Sequence, residues 1–569
     1  MVRRSAALAF GLTFTALGAC SPPVETTSAP TPAPAAAQPA RPAAQQGPRG
    51  PSAQGATDDV PRQGRPVEPR PDYVRAGAPT DPVIQRMWQE GMQRSQAPQL
   101  MQVLLDSIGP RLNASPRHRA GNEWLIRKYG EWGIQARDEQ YGTWNAWDRG
   151  ITHIDLVSPR VRSLEGMMLA WSPGTGGKPV EADVVVLPEA ASPEAMRARF
   201  GDLRGKWVMI SAPQLSCRSR DQLREFGRPE TLASLDSAQR ALTASFNDRR
   251  VKAVNINEAM KEAGVAGVLT MQWSGYPGIN KVFGSWRQEV PTLELSCEDY
   301  GMLYRLAVND QGPKIRVTAE SKFLGEQPVF NTIAEIRGTE KPEEYVMLSA
   351  HFDSWDGAQG ATDNGTGTIT MLEAARILKA VYPNPKRTIL IGHWGGEEQG
   401  LNGSHAFVED NPKILAGLHA LFNQDNGTGR VVNMSASGLA KAGPVLTGYL
   451  SQLPSQITQY IDFADPGMPS GGGTDHASFI CAGAPGFNLG ALSWDYGGTT
   501  WHTNRDTYDK VVMDDLKNNA TLAAMLAYLA SEDPSFMPRD RAAITGRDGQ
   551  PAQWPGCSKA ARKTADSPR

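Results

Sequence analysis

Five side chains of the types that bind metal ions follow short apolar runs in the second half of the chain. They are His351, Asp363, Glu398, Asp425 and His502. Imidazole nitrogen and carboxylate oxygen, without thiolate, are the ligands that zinc takes at hydrolytic sites with an open coordination position. Six of the eight histidines lie between residues 351 and 502. The sequence therefore predicts metal-dependent hydrolysis in this part of the chain.

Two histidines and three carboxylates exceed what one four-coordinate zinc ion needs, but they serve two ions if one carboxylate bridges. Asp363 is the predicted bridge, and two zinc ions about 3.5–4 Å apart can activate a shared water. Glu397, next to the ligand Glu398, is the predicted general base that takes the proton of this water. Asp353, two residues after His351, is predicted to hold the second nitrogen of that imidazole.

The surrounding pattern predicts the elements that position these side chains. Residues 345–350 and 388–392 are short apolar runs typical of buried strands, and 367–378 between them has helical spacing. A strand–helix–strand unit indicates an α/β fold in which helices cover a parallel sheet. Open α/β sheets carry their chemistry at the carboxyl ends of strands, where the polar residues listed above follow.

Each of these motifs has a simpler interpretation when taken alone. A His-x-Asp or Glu-Glu pair usually lies in a solvated loop, and the glycine-rich turn at 363–367 could be only a helix cap. A phosphate site is not favoured, because the turn lacks the Walker spacing with its lysine and no Gly-x-Gly-x-x-Gly follows the strand. The ordered set of five ligands at successive strand ends favours the metal site.

The N-terminus predicts export and lipidation. Two arginines precede an apolar run at 6–17 that is too short to span a bilayer, and Leu-Gly-Ala-Cys at 17–20 resembles a bacterial lipobox. Residues 1–20 are therefore predicted to be a lipoprotein-type signal peptide, with Cys20 as the lipidated residue. The expected location is the cell envelope, at the outer membrane and facing the periplasm; the alternative is a plain secreted protein. Residues 21–72, rich in Pro and Ala, are predicted to form a disordered tether.

Charge and cysteine content limit the possible partners. With a net charge of −2, the chain has no excess positive charge that would indicate nucleic-acid binding. Membrane contact is expected only through the lipid anchor. Four further cysteines, Cys217, Cys297, Cys481 and Cys557, can form disulfides in an exported protein. Three pairings of these four are possible, and the sequence does not choose among them.

A segment of different character interrupts the predicted catalytic domain before the predicted ligands. Residues 151–326 alternate short strand-like runs with turns and contain no cluster of histidines and carboxylates, which indicates a separate, non-catalytic insert. The predicted catalytic domain comprises 73–150 and 327–535, and 536–569 is predicted to be a loose polar tail.

Several motifs resemble, in order, the co-catalytic zinc exopeptidases of peptidase family M28: HFDSWDG, ATDNGTGT, GHWGGEEQGLNGSHAF, GGGTDHASF and WHTNRDTYD. This resemblance implies a zinc-exopeptidase-like mixed sheet flanked by helices, and the insert resembles a mostly-β protease-associated (PA) domain. It also implies that His351 and Asp425 hold one zinc ion. Glu398 and His502 would hold the other, with Asp363 between the two.

The resemblance further implies that Glu397 is the general base and that the 363–364 peptide bond is cis. Trp501 stands where many relatives carry a tyrosine whose hydroxyl helps stabilise the oxyanion. Its indole N–H can donate, but with a different reach, and Tyr496 is the second candidate. His476 matches a motif near the substrate cleft, with a structural role as the alternative.

The sequence thus predicts a metallopeptidase with two zinc ions per chain that removes residues from the N-terminus of peptide substrates. A carboxypeptidase or dipeptidase on the same scaffold is one alternative, and a catalytically inactive binding protein is another. Retention of every predicted ligand and of Glu397 argues against the inactive protein. The insert is predicted to shape the mouth of the cleft and to limit substrate size.

Overall fold

The computed structural model describes residues 65–285, 289–425, 427–545 and 549–566. The predicted signal peptide, Cys20 and the predicted tether as far as residue 64 lie outside this part. Residues 65–72 do not form a free tether, because the Val67 N–H donates to the Gln459 carbonyl at 2.8 Å. The hydroxyl of Tyr73 donates to the Ile461 carbonyl at 2.6 Å. Ordered packing therefore begins earlier than the predicted boundary at residue 73.

Helices open the described chain, as the amphipathic pattern of this region predicts. The first elements are α1 (Pro82–Trp88), α2 (Ala97–Gln102), α3 (Pro116–Glu131) and β1 (Gln135–Ser158). Helices α1 and α2 run on into the π-helical turns Gln89–Gln93 and Val103–Ile108. The second turn ends at Gly109, whose φ of 83° suits glycine and few other residues.

The insert contains more helix than the predicted mostly-β domain. Its elements are β2 (Arg162–Ser163), β3 (Gly166–Met168), β4 (Val180–Val186), α4 (Pro193–Ala198), α5 (Phe200–Leu203), β5 (Trp207–Met209), α6 (Arg220–Phe226), α7 (Pro229–Lys252), α8 (Ile256–Ala263), β6 (Gly267–Thr270), β7 (Thr292–Leu295) and α9 (Cys297–Val308). Helix α7 has 24 residues, of which only Phe246 is buried. It lacks the continuous apolar stripe from which a helix is predicted.

The remaining elements return to long strands and helices. They are β8 (Lys314–Ile336), β9 (Lys341–His351), α10 (Thr366–Val381), β10 (Arg387–Trp394), α11 (Asn402–Asp410), α12 (Pro412–Gly417), β11 (Leu418–Asn423), β12 (Val431–Ser435), α13 (Ala442–Leu450), α14 (Ser455–Thr458), β13 (Asp462–Ala464), α15 (His476–Cys481), β14 (Gly486–Asn488), β15 (Gly490–Ala491), α16 (Tyr496–Thr499) and α17 (Met513–Glu532). The predicted unit of strand, helix and strand is β9–α10–β10.

A large mixed sheet connects these elements in the order β14-β11-β9-β10-β8-β4-β5-β6-β7-β3, with β1 paired to β8 and to β2. Strands β10, β9, β11 and β14 are parallel, whereas β8 is antiparallel to β10. Every residue of β10 is buried, as expected of a central strand covered on both faces. The predicted α/β class with a mixed sheet is confirmed.

The insert is continuous with this sheet. Strands β1 and β8 pair from Gln135 opposite Glu335 to Ser158 opposite Lys314, so the predicted boundaries at 151 and 326 fall inside strands. In the described part of the chain, no helix has both the length and the apolar character that crossing a membrane requires.

The C-terminal tail is held against the domain, so the prediction of a loose tail is wrong for residues 549–566. The disulfides are Cys217–Cys297 and Cys481–Cys557, and the second ties the tail to the end of α15. The Thr143 N–H donates to the Arg562 carbonyl at 2.8 Å, and the Arg562 guanidinium forms an ion pair with Glu409 at 2.9 Å.

Candidate active site

The predicted ligands lie at one edge of the sheet, where three parallel strands end. His351 is the last residue of β9, Glu398 follows β10 and Asp425 follows β11. Asp363 lies in the turn Ala361–Gly365 that leads into α10, and His502 lies in the loop after α16. The carboxyl ends of parallel strands share an edge, and the structure therefore brings together residues that are up to 151 positions apart in the chain.

Two clusters of ligands share one carboxylate. His351 Nε2 lies 3.2 Å from Asp363 Oδ1 and 3.2 Å from Asp425 Oδ1. His502 Nε2 lies 3.2 Å from Asp363 Oδ2 and 2.9 Å from Glu398 Oε2. Within each cluster the possible ligand atoms are all within 4.8 Å of one another. The two oxygens of Asp363 thus face different clusters, which is the geometry that a bridging carboxylate needs.

The clusters fit zinc by their donor atoms and by their charge. Each offers one imidazole nitrogen and two carboxylate groups, which is a set that zinc accepts. Within the described part of the chain, Asp363 Oδ2 and Glu398 Oε1 are buried without a hydrogen-bond partner. Burial and the neighbouring Asp363 raise the pKa of Glu398 to about 7, and burial raises the pKa of Glu397 well above its usual value. A cation between these carboxylates would relieve the cost of burying them.

Asp353 supports the site differently from the prediction. His351 Nδ1 donates to the backbone carbonyl of Asp353 at 3.0 Å, whereas the Asp353 carboxylate lies 3.8 Å away. That carboxylate instead accepts from the backbone N–H groups of Glu397 at 3.0 Å and Glu398 at 3.3 Å. Asp353 therefore orients the imidazole through its main chain and the two glutamates through its side chain. The donation from Nδ1 leaves Nε2 as the metal-binding nitrogen.

The carboxylate of Asp506, which was not predicted from the sequence, holds the backbone at Asp363. Asp506 accepts from the backbone N–H groups of Thr362 at 2.7 Å and Asp363 at 3.1 Å. Burial raises the pKa of Asp506 to about 7. The peptide bond between Asp363 and Asn364 is cis, as the family resemblance implied. The signals for Asp506 were its place four residues after His502 and its presence in the family-like motif WHTNRDTYD.

Arg111 was also missed as a site residue. Its fully buried guanidinium donates to the carbonyls of Phe352 at 2.7 Å, Gln359 at 3.0 Å and Gly360 at 2.8 Å. These carbonyls belong to the segment that connects His351 to Asp363. Burial lowers the pKa of Arg111 to about 10, so the group remains a cation at neutral pH. It fixes the chain between two ligands without touching either.

A cleft of about 290 Å³ opens over both clusters. It is lined by Asp363, Glu397, Glu398, Asp425, Gly473, Tyr496, Trp501 and His502. The Trp501 ring stacks on the His502 ring with 4.0 Å between centroids. Burial, together with Asp363, Asp425 and other carboxylates, raises the pKa of Tyr496 well above its usual value, so its hydroxyl keeps its proton. His476 is buried, and it is not among the residues that line this cleft.

Comparisons with known proteins agree with this architecture. Residues 331–527 match the model of peptidase family M28. The chain is 26% identical over 452 residues to carboxypeptidase Q of Homo sapiens, covering 79% of this chain and 88% of that protein. The carboxypeptidase Q of Mus musculus is 27% identical over 440 residues, covering 77% and 86%.

Two solved structures are similar to this one. A peptidase M28 precursor from Shewanella amazonensis has 23% sequence identity and a TM-score of 0.59, covering 80% of this chain and 97% of that one. A zinc aminopeptidase from Bacillus subtilis has 18% identity and a TM-score of 0.50, covering 78% and 97%. At these identities the two structures support the fold alone.

Proposed function

The chain belongs to peptidase family M28, and on this premise we propose that it is a di-zinc exopeptidase that removes residues from the N-terminus of peptides. The observation that carries this proposal is the pair of ligand clusters sharing Asp363, with Glu397 at the same cleft. His351 and Asp425 hold one ion in this proposal. Glu398 and His502 hold the other.

The chain's own side chains supply the remaining chemistry. When bound, two zinc ions polarise the scissile carbonyl and lower the pKa of water. Glu397 takes the proton of the attacking water and passes it to the departing amine. Tyr496 and Trp501 both line the cleft, and the Tyr496 hydroxyl and the Trp501 indole N–H are the two candidate donors to the developing oxyanion.

The cleft lacks a cationic side chain for a free C-terminus, which favours the free N-terminus as the group that is bound. None of its described lining residues is lysine or arginine, and of its four carboxylates Asp363, Glu398 and Asp425 hold the ions in this proposal. A substrate's terminal carboxylate would therefore lack the cationic side chain that usually receives it. The second candidate, a carboxypeptidase or dipeptidase, is favoured by the name of the curated relatives, carboxypeptidase Q.

We expect the protein to hydrolyse dipeptides whose C-terminus is blocked as an amide and to leave N-acetylated dipeptides intact, because the described lining of the cleft offers no cationic side chain for a terminal carboxylate. Product release is measured by chromatography, with the Glu397→Gln protein as the control for contaminating peptidases. Cleavage of the N-acetylated series alone would establish the carboxypeptidase instead. Cleavage of unblocked dipeptides alone would establish a dipeptidase, and no cleavage of any peptide would favour the binding protein.

We further propose that the insert is a PA-like domain that narrows the cleft. Tyr276 of the insert lies so close to Gly498 that a Cβ there would come within 2.4 Å of its ring. Gly498 belongs to α16, the helix that contributes Tyr496 to the cleft. In the same assay, C-blocked peptides of increasing length are expected to be cleaved progressively more slowly.

We also propose that the enzyme is anchored to the cell envelope by lipid on Cys20. Two or three acyl chains hold a protein on a membrane firmly, whereas one does not. Cys20→Ala is expected to move activity from the membrane fraction to the soluble fraction without loss, because every proposed ligand lies more than 300 residues further along the chain. Fractionation and intact mass measure this. Wild-type activity that is wholly soluble, with a mature mass lacking lipid, would show a secreted enzyme.

A further inference from the structure

One segment of the insert runs directly alongside the loop that carries His502. The Val282 N–H donates to the His502 carbonyl at 2.7 Å, and the Asn504 N–H donates to the Asn280 carbonyl at 3.0 Å. Between these bonds, Lys281 and Thr503 form an antiparallel β-bridge. The segment 280–283 therefore contacts the main chain of a proposed zinc ligand.

The side chain of Lys281 ties this segment to the turn that precedes His502. Lys281 is only 6% exposed. Its Nζ donates to the Trp501 carbonyl at 2.6 Å and to the Gly497 carbonyl at 3.1 Å. The same ammonium lies 4.5 Å from the centre of the Trp501 ring. One buried cation thus fixes both ends of the stretch from α16 to the residue before His502.

The His502 backbone needs this support. Its φ is 51°, in the left-handed region that non-glycine residues rarely adopt. Such a conformation persists where the surrounding structure determines it. The imidazole is packed between aromatic rings from both domains: Trp501 at 4.0 Å, Phe283 at 4.9 Å and Trp355 at 5.9 Å between centroids. Phe283 comes from the insert.

We propose that the insert completes the metal centre and that Lys281 is a positioning residue for His502. This inference rests on the proposed function, in which His502 holds a zinc ion. Lys281 touches no ligand atom; it acts through the Trp501 and Gly497 carbonyls, and its neighbours Val282 and Phe283 contact His502 itself. The insert is in this view a component of the cluster formed by His502, Glu398 and Asp363. The cluster around His351 has its supports within the peptidase domain.

A lysine that merely stabilises the contact between the domains would behave differently. Its loss would lower the melting temperature and leave both metal sites equally able to hold their ions. If Lys281 positions His502, its loss should weaken metal binding at the two clusters unequally. The ion of the His502 cluster becomes weakly held, and the ion of the His351 cluster does not.

The test compares Lys281→Met, which keeps the apolar stem over Trp501, with Lys281→Arg and with the control Lys178→Met. Lys178 is an exposed lysine of the same insert. Zinc content is measured after dialysis against increasing chelator, and the cobalt-substituted proteins are compared by their visible absorption. Loss of an outer-shell partner typically weakens metal binding by about 10–100-fold. We therefore expect Lys281→Met to retain about one ion where wild type, Lys178→Met and Lys281→Arg retain about two.

The inference is overturned if Lys281→Met holds both ions as tightly as Lys178→Met, or if both ions weaken together. It is also overturned if Lys281→Arg, which keeps the charge and the donors, retains no more zinc than Lys281→Met. If Lys281→Met does not fold by circular dichroism, Phe283→Leu tests whether the insert completes the His502 cluster, because that ring contacts His502 directly; equal retention of both ions by this variant and by wild type would overturn the inference. Wild-type protein that binds no zinc would instead refute the proposed function.

Discussion

Replacing Glu397 by glutamine is expected to lower turnover by about 10²–10⁴-fold while leaving the zinc content unchanged. Glu397 lines the cleft with the ligands but belongs to neither ligand cluster. Its backbone is fixed by the Asp353 carboxylate at 3.0 Å, so the substitution does not remove the hydrogen bond that positions the residue. Glutamine keeps the size of the side chain and loses the ability to accept a proton. The expected loss is therefore in kcat, with KM nearly unchanged.

The matched comparison is Glu398→Gln, because the two residues are adjacent and the chemical change is the same. Glu398 Oε2 lies 2.9 Å from His502 Nε2, and its replacement is expected to release the ion of that cluster. Steady-state kinetics and elemental analysis of both variants separate the roles. A Glu397→Gln protein that loses zinc, beside a Glu398→Gln protein that keeps it, would show that base and ligand are exchanged.

The elements that the sequence predicted correctly are those for which the local residue pattern and the chain topology indicate the same structure. Apolar runs predicted β9 and β10, and the helical spacing between them predicted α10. Once these strands are parallel, His351 and Glu398 must lie at one edge, because the chain leaves each strand in the same direction. His502 was predicted to be a ligand from its place after an apolar run, whereas it lies in the loop after α16, and only the resemblance to the family paired it with Glu398.

The residues that support the ligands could not be predicted in this way. Arg111, Lys281 and Asp506 act on backbone groups between 140 and 250 positions away. Such contacts leave no periodicity in the sequence, and the sequence alone does not distinguish a buried charged residue from an exposed one. The tail was misjudged for the same reason. Its polar composition suggested a loose segment, whereas the Cys481–Cys557 disulfide and the Arg562 ion pairs attach it.

The bridging role of Asp363 leads to the other prediction with a large expected effect. Asp363→Asn is expected to reduce zinc content from about two ions per chain to one or fewer. The amide has one oxygen where the carboxylate has two, and its NH₂ group would face one of the two clusters. It also removes the negative charge that both clusters share. Without the metal ion's stabilisation of the transition state, the activation free energy rises by several kcal/mol, and each ~1.4 kcal/mol is a tenfold change in rate. Turnover should therefore fall by at least about 10³-fold.

The control is Asp495→Asn, the same chemical change at an exposed residue of the neighbouring loop. Asp495 has a φ of 60°, which asparagine adopts readily, so its replacement should leave zinc content and turnover unchanged. Elemental analysis of the purified proteins, with kinetics at saturating zinc, measures both. Wild type with a single ion would refute the di-zinc centre. An Asp363→Asn protein that keeps two ions would show that each cluster holds its metal without the shared carboxylate, because His351 with Asp425 and His502 with Glu398 would then be sufficient ligands.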